Sequence, residues 1–204
     1  MHDYFVLLGY LGSAIGACVV VPQILRIVRN PGAAGVAAST WGFTALACSL
    51  WLTYGIRTGA MPQVPGNVLL ITGAVAIVLL VPHTWSPKRR GVALTAVVAT
   101  SVLALAARPA AWVGYTAFAL GLCSVWPQVV TSVGTYRAAA VSAVSVGSLS
   151  LKIGSQACWL SYAIGTSDRA VTLAALMALS TAVLIVCLEL AARSRGARPV
   201  GLAG

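Results

Sequence analysis

Long apolar stretches alternate with short polar segments along almost the whole chain. Each stretch is about 17 to 25 residues long, the length at which a helix crosses ~30 Å of hydrocarbon. The stretches are Tyr4–Ile27, Val36–Ile56, Gln63–Val81, Gly91–Ala107, Trp112–Thr131, Val144–Ile164 and Ala170–Ala192. This pattern predicts an all-α integral membrane protein with seven transmembrane helices. The first stretch begins after His2 and Asp3 instead of a basic segment, so we expect a mature helix and not a cleaved signal peptide.

Composition agrees with this pattern, because 59% of the 204 residues are hydrophobic and 8% are charged. Too few polar side chains remain to cover a soluble surface. The net charge of +10 has a one-sided distribution. Nine of thirteen basic residues follow helices 1, 3, 5 and 7, three lie in the alternate loops, and Lys152 lies within a span. The positive-inside rule then places the N-terminus outside and the C-terminus in the cytoplasm, in the cell (inner) membrane, with the basic segments on lipid headgroups and not on nucleic acid.

The two ends of the chain carry matching elements. With an offset of 105 residues, Gly9-Tyr10 recurs as Gly114-Tyr115, Gly16 as Gly121, Cys18 as Cys123, and Val21-Pro22-Gln23 as Trp126-Pro127-Gln128. With an offset of 108, Trp51-Leu52-Thr53-Tyr54-Gly55-Ile56 recurs as Trp159-Leu160-Ser161-Tyr162-Ala163-Ile164. Such a repeat in an apolar chain is typical of transporters built from two structural repeats.

Three helices in each copy require a linker helix if both copies are to have the same orientation. We therefore predict a first three-helix repeat over residues 1–82, a loop and linker helix 4 over 83–109, a second repeat over 110–193, and a basic cytoplasmic tail over 194–204. The repeats would be parallel and related by a pseudo-twofold axis along the membrane normal.

The inventory of reactive side chains argues against an enzyme. All five cysteines lie within predicted helices without close metal-ligand spacing, and Asp3, Asp168 and Glu189 are the only acidic residues. No nucleophile with a base, no paired carboxylates and no phosphate-binding glycine loop can be assembled from them. We expect no enzymatic activity, no cofactor and no metal.

The two Pro-Gln pairs at matched positions, Pro22-Gln23 and Pro127-Gln128, together with the 3+1+3 plan, resemble the PQ-loop superfamily and more narrowly the SWEET and SemiSWEET (MtN3/saliva) transporters. The resemblance extends from Gly9 to Ala192 and implies a sugar facilitator that works by alternating access. Each proline should kink its helix, because it removes a backbone donor and clashes with the preceding turn. The resemblance implies that these kinks act as hinges; the alternative is a static kink that shapes packing.

The same resemblance implies a sugar site at Trp51 and Asn67, which are sixteen residues apart. An indole can stack on the apolar ring face of a hexose, and an amide can pair with its hydroxyls. Independently, Ser145, Ser148, Lys152, Ser155, Trp159 and Tyr162 fall on one face of helix 6, and a polar face within a span is expected to line water or substrate. The predicted substrate-binding residues are Trp51, Asn67, Trp159, Lys152, Ser155 and Gln156.

Several of these residues have a second interpretation. Trp51 would also suit the membrane interface, and Asn67 a hydrogen bond between helices. Lys152 would extend its ammonium to the headgroups, pair with an acid such as Glu189, or serve as the counter-ion of an anionic substrate. Sixteen residues after Trp159 the chain has Ala175 in place of an amide, so the predicted site is asymmetric.

At the outer ends of the helices, Tyr54, Tyr162 and Asp168 match a gate that the resemblance implies, in which Asp168 would pair with Arg169 or Arg57. These residues could equally be solvated. The sequence thus predicts a uniporter for small sugars in the lipid bilayer, with no element for energy coupling. The alternatives are a PQ-loop carrier of an amino acid, carboxylate or vitamin, and a non-transporting receptor or scaffold; homo-oligomer formation is left open.

Overall fold

The structure is a computed structural model that describes residues 2–18, 38–80, 86–106, 109–137, 140–141, 146–194 and 198–199. Seven helices lie in these ranges: α1 (His2–Cys18), α2 (Ala38–Thr58), α3 (Gln63–Leu80), α4 (Pro87–Ala106), α5 (Ala110–Arg137), α6 (Val146–Gly165) and α7 (Arg169–Ser194). A two-residue parallel pairing joins β1 (Ala140–Val141) to β2 (Arg198–Pro199). The prediction of an all-α fold is confirmed apart from this short pairing.

Helix α4 begins earlier than the apolar pattern predicts. The expected span started at Gly91, whereas the helix starts at Pro87 and includes three basic residues that were expected in the preceding loop. Ser86 caps it, with its Oγ accepting a hydrogen bond from the backbone N–H of Arg89 at 3.3 Å. Proline suits the first helical position because its missing N–H would have no partner there.

By length and composition, two of the described helices can cross a membrane, α4 and α7. Gln63–Ile77 of α3 and Ala110–Trp126 of α5 are shorter apolar helical segments. Helix α2 and helix α6, which carries the polar face noted above, are not among them. The count of seven transmembrane spans therefore remains a prediction.

The helices pack in the same way at both ends of the chain. Helix α3 packs against both α1 and α2, and α7 packs against both α5 and α6. The first-half helices α1–α3 meet the second-half helices α5–α7 through two contacts, α1 against α6 and α2 against α5. Helix α4 packs on α2, with a smaller contact to α3. The two main contacts between the halves leave a space that six of the helices surround.

The turns at one end of the bundle use equivalent backbone conformations. Gly59 follows α2 with φ of 72°, and Ser167 follows α6 with φ of 57°. In both turns the next N–H reaches back to a helix carbonyl at 2.8 Å, from Ala60 to Gly55 and from Asp168 to Ala163. We call this end, where α2 turns into α3 and α6 into α7, the Asp168 end.

Candidate functional site

A cavity of about 470 Å³ lies among the helices, and all six predicted substrate-binding residues line it. They come from both halves of the chain: Trp51, Asn67, Lys152, Ser155, Gln156 and Trp159. Helices α1, α2, α3, α5, α6 and α7 all contribute to the lining, whereas α4 does not. The volume falls within the range of small-molecule sites.

Each half of the chain contributes to the cavity a tryptophan that packs against a tyrosine three residues further on, and Trp41 of α2 lines the cavity as well. The Trp51 and Tyr54 rings meet edge to face with centroids 5.8 Å apart, and Trp159 and Tyr162 do so at 5.6 Å. Both tyrosines are buried and both tryptophans are partly buried. A partly exposed indole on a cavity wall is a flat apolar surface on which a ring can stack.

Asn67 is also partly buried, and its side-chain nitrogen donates a hydrogen bond of 2.7 Å to the carbonyl of Gln63 in the same helix. The amide oxygen and a second N–H remain for other partners. Ser155 is buried and its hydroxyl donates to the carbonyl of Gly12 on α1 at 2.8 Å. Its proton is therefore used in packing α6 against α1, so a ligand would meet Ser155 as an acceptor.

Lys152 lines the same cavity seven residues before Trp159 on α6, which is about 10 Å along the helix axis. The side chain is partly buried. Among the described residues it has no ion pair, including with Glu189, the pairing that the sequence suggested. A charge in a site of low dielectric attracts an opposite charge strongly when none is supplied by the protein.

Among the polar lining residues that the sequence did not single out, Ser13 on α1 and Gln63 at the start of α3 are buried. Their exposed fractions are 6% and 2%. Neither Ser13 Oγ nor Gln63 Nε2 has a hydrogen-bond partner in the described part of the chain. Gln63 precedes Asn67 by one helical turn, a spacing that places both on one face and was visible in the sequence.

At the Asp168 end, the Tyr54 hydroxyl donates a hydrogen bond of 2.8 Å to Asp168 Oδ1. The same oxygen accepts the backbone N–H of Val171 at 3.1 Å, so Asp168 also caps α7. Two basic residues were expected beside it, Arg169 and Arg57. Arg169 is exposed, and Arg57 has another partner, because it donates to the carbonyl of Ala104 on α4 at 2.9 Å. A tyrosine thus joins α2 to α7.

Two glycines at this end allow the tyrosines to approach the opposite half of the chain. A Cβ on Gly9 would lie 2.8 Å from Tyr162 Cδ2, and one on Gly114 would lie 2.9 Å from Tyr54 Cε2. Real Cβ atoms do not approach so closely. Gly9 and Gly114 are equivalent in the repeat, so both halves close against each other in the same manner.

The predicted hinge residues cannot all be located. Pro22 and Gln23 lie outside the described residues. Pro127 and Gln128 lie within α5, whose helical backbone continues through them to Arg137. Their role as hinges remains a prediction.

Comparison with known proteins gives a match of structure and none of sequence. No family model and no curated protein matches the chain. A solved structure, described as the 3.7 Å resolution structure of a eukaryotic SWEET transporter, superposes with a TM-score of 0.75. The identity is 14%, and the match covers 94% of this chain and 99% of that one. The chain therefore has the fold of a SWEET transporter, which is a membrane-protein fold.

Proposed function

We propose that this protein is a membrane transporter for a small solute, which binds in the cavity between the two halves of the chain. The observation that carries the proposal is that the six residues predicted from sequence to bind substrate all line that single cavity. The likeness to a SWEET transporter supports the same reading through the fold. A transporter, and not an enzyme, is also what the sparse inventory of reactive groups favours.

The proposed mechanism is alternating access by two parallel repeats, 1–82 and 110–193, with helix 4 as the linker and the N-terminus outside. The matching contacts of α1 with α6 and α2 with α5 support a pseudo-twofold relation. The Tyr54–Asp168 hydrogen bond and the approaches of the tyrosines to Gly9 and Gly114 would close the outer mouth. Pro22 and Pro127, with Gln23 and Gln128, would provide the hinges.

A small neutral sugar is the proposed substrate, moved down its gradient. Trp51 and Trp159 offer indoles from two sides, while Asn67 and Gln156 offer amides. This combination suits a solute with an apolar ring face and a rim of hydroxyls.

Lys152 favours a second candidate, a small carboxylate or amino acid. Its ammonium lines the cavity without an ion pair among the described residues. For an anion, Lys152→Gln should raise the half-saturation concentration by about tenfold or more, because a contact of charge with charge is lost in a low dielectric. For a neutral sugar the same change should leave it nearly unaltered. Lys88→Gln is the matched control, since Lys88 is exposed at the start of α4.

Uptake into proteoliposomes by the purified protein tests the proposal with a panel of radiolabelled neutral sugars, amino acids and small carboxylates. Trp51→Ala and Asn67→Ala should each remove most uptake of the best solute without loss of the folded protein. Trp112→Ala and Thr72→Ala are the controls, because both residues are exposed on the outside of the bundle. Equal losses in the control variants, or no uptake of any solute, would contradict the proposal.

A further inference from the structure

The third helices of the two halves make chemically different walls for the cavity. Adding the repeat offset of 108 to the α3 residues Gln63 and Asn67 gives Val171 and Ala175 on α7, and all four residues line the cavity. One wall thus presents two amides where its equivalent presents only carbon atoms. Val171 and Ala175 are buried as well, so these positions are well-packed apolar surface.

The first helix of each half shows the same difference. With the offset of 105, Ser13 on α1 corresponds to Phe118 on α5, and both line the cavity. The Ser13 hydroxyl lies against Gly66 of α3, one residue before Asn67. Ser13, Gln63 and Asn67 therefore form one continuous polar patch across the contact between α1 and α3.

In the second helix of each half, the more polar cavity residues lie on α6. Lys152 and Gln156 of α6 correspond to Thr44 and Cys48 of α2, and all four line the cavity. Helix α6 packs against α1, which carries part of the polar patch, and also against α7. Helices α5 and α7, which pack against each other, carry an apolar wall at Phe118, Val171 and Ala175. Ser124 of α5 also lines the cavity, and its hydroxyl donates to the carbonyl of Gly121 in its own helix.

Two groups of the polar patch are available to a ligand. Gln63 Nε2 and Ser13 Oγ are buried without a hydrogen-bond partner in the described ranges, a condition that costs free energy unless a ligand or water supplies the bond. The donors Gln63 and Lys152 both call for an acceptor on the solute. On the apolar wall, the side chains of Phe118, Val171 and Ala175 offer no hydrogen-bond partner to a hydroxyl of the solute.

We infer that the cavity selects an amphipathic solute in one orientation, with its hydrogen-bond acceptors on Ser13, Gln63 and Asn67 and a hydroxyl-free end against Phe118, Val171 and Ala175. This inference rests on the proposed transport function and narrows its substrate class. Among hexoses it favours a 6-deoxy sugar over the parent sugar. Among small carboxylates it favours an acid with a methyl end over one with a hydroxymethyl end.

The experiment compares two matched pairs of radiolabelled solutes in proteoliposomes, D-galactose with 6-deoxy-D-galactose and glycerate with lactate. Within the pair that is transported, the deoxygenated member should have the higher ratio of maximal rate to half-saturation concentration, by about tenfold or more, since an apolar pocket discriminates against a hydroxyl by up to ~100-fold. Val171→Gln should bring the ratio close to one. Ala174→Ser, a smaller change on the same wall, should lower it in the same direction if Val171→Gln does not fold.

The polar patch is tested with Ser13→Ala and Gln63→Met. Each change should raise the half-saturation concentration of both members of a pair about equally, so the preference for the deoxygenated member should not change. Ser161→Ala is the control, because Ser161 does not line the cavity and its hydroxyl donates to the carbonyl of Ala157 in its own helix. Transport with equal preference, with preference for the hydroxylated member, or without any effect of Ser13→Ala and Gln63→Met would overturn the inference while leaving the transport function intact. Transport of neither pair would overturn the inference, and only the absence of uptake of every solute in the wider panel would contradict the transport function as well.

Discussion

Removal of one hydroxyl, in Tyr54→Phe, should open the Asp168 end of the bundle more often. The Tyr54 ring would remain in place, edge to face with Trp51 and close to Gly114, because phenylalanine keeps the same packing. Only the 2.8 Å hydrogen bond to Asp168 would be lost. That bond joins α2 of the first half to α7 of the second, so it exists only when the two halves are together at this end.

The size of the effect follows from the kind of bond. A hydrogen bond to a charged group contributes about 1.5–3 kcal/mol to stability, and the lower value applies here since Asp168 is partly exposed. A loss of about 1.5 kcal/mol changes the ratio of open to closed protein by roughly tenfold. Asp168→Asn should have a smaller effect, because an amide oxygen can still accept from Tyr54 and from the Val171 N–H.

Cys48 provides the assay, because this buried cysteine lines the cavity. In a protein whose other four cysteines are replaced by serine, a membrane-impermeant thiol reagent added from the Asp168 side should modify Cys48 roughly ten times faster in Tyr54→Phe than in the parent. Tyr4→Phe is the control, since Tyr4 is exposed near the start of α1. An unchanged rate in Tyr54→Phe, or an equal increase in Tyr4→Phe, would refute the reasoning.

Three further predictions concern the same fold. Gly114→Ala should lower the free energy of unfolding by about 1–3 kcal/mol, because the new Cβ would meet Tyr54 at 2.9 Å, whereas Gly134→Ala on the same helix meets nothing within 4 Å and should not destabilise in thermal unfolding. Ser167→Gly should leave the free energy of unfolding unchanged or raise it, and Gly59→Ser should lower it by about 1 kcal/mol, because both positions have positive φ. Thermal unfolding measures both changes, and changes of the same sign would contradict this prediction. Counterflow of a neutral solute should not change when a protonophore is added. Accumulation of the solute driven by a proton gradient would contradict the assignment as a uniporter.

The apolar pattern alone was enough to predict the helices, because each helix must satisfy its own backbone within lipid. It could not give every boundary. Helix α4 extends to Pro87 through residues that are charged, and a cap by Ser86 rather than hydrophobicity decides where it starts. Hydropathy measures the preference for an apolar environment and does not detect a helical turn that is made of charged residues.

The candidate site was predictable where it depends on one helix and unpredictable where it depends on two. Lys152, Ser155 and Trp159 share a face of α6 because the helical period fixes it, and they do line one cavity. Ser13 joins Gln63 only through the packing of α1 on α3, which no local pattern encodes. For the same reason the sequence predicted Arg169 or Arg57 as the partner of Asp168, whereas α2 presents Tyr54 to it and turns Arg57 to α4.

The two halves keep equivalent residues at the Asp168 end and differ in the cavity, and each arrangement has a physical reason. In the proposed mechanism closure brings both halves together in one movement, so a glycine that admits a tyrosine is needed twice, at Gly9 and at Gly114. A solute has no twofold axis, so a cavity with two identical walls could match at most one side of it and would leave polar groups unpaired on the other. Val171 stands where a symmetric cavity would have a second glutamine, and it avoids that cost. Asp168 is an asymmetric residue at the symmetric end, because its equivalent in the first half is Ala60. Its hydrogen bond to Tyr54 stabilises a contact between the halves whose packing is already symmetric.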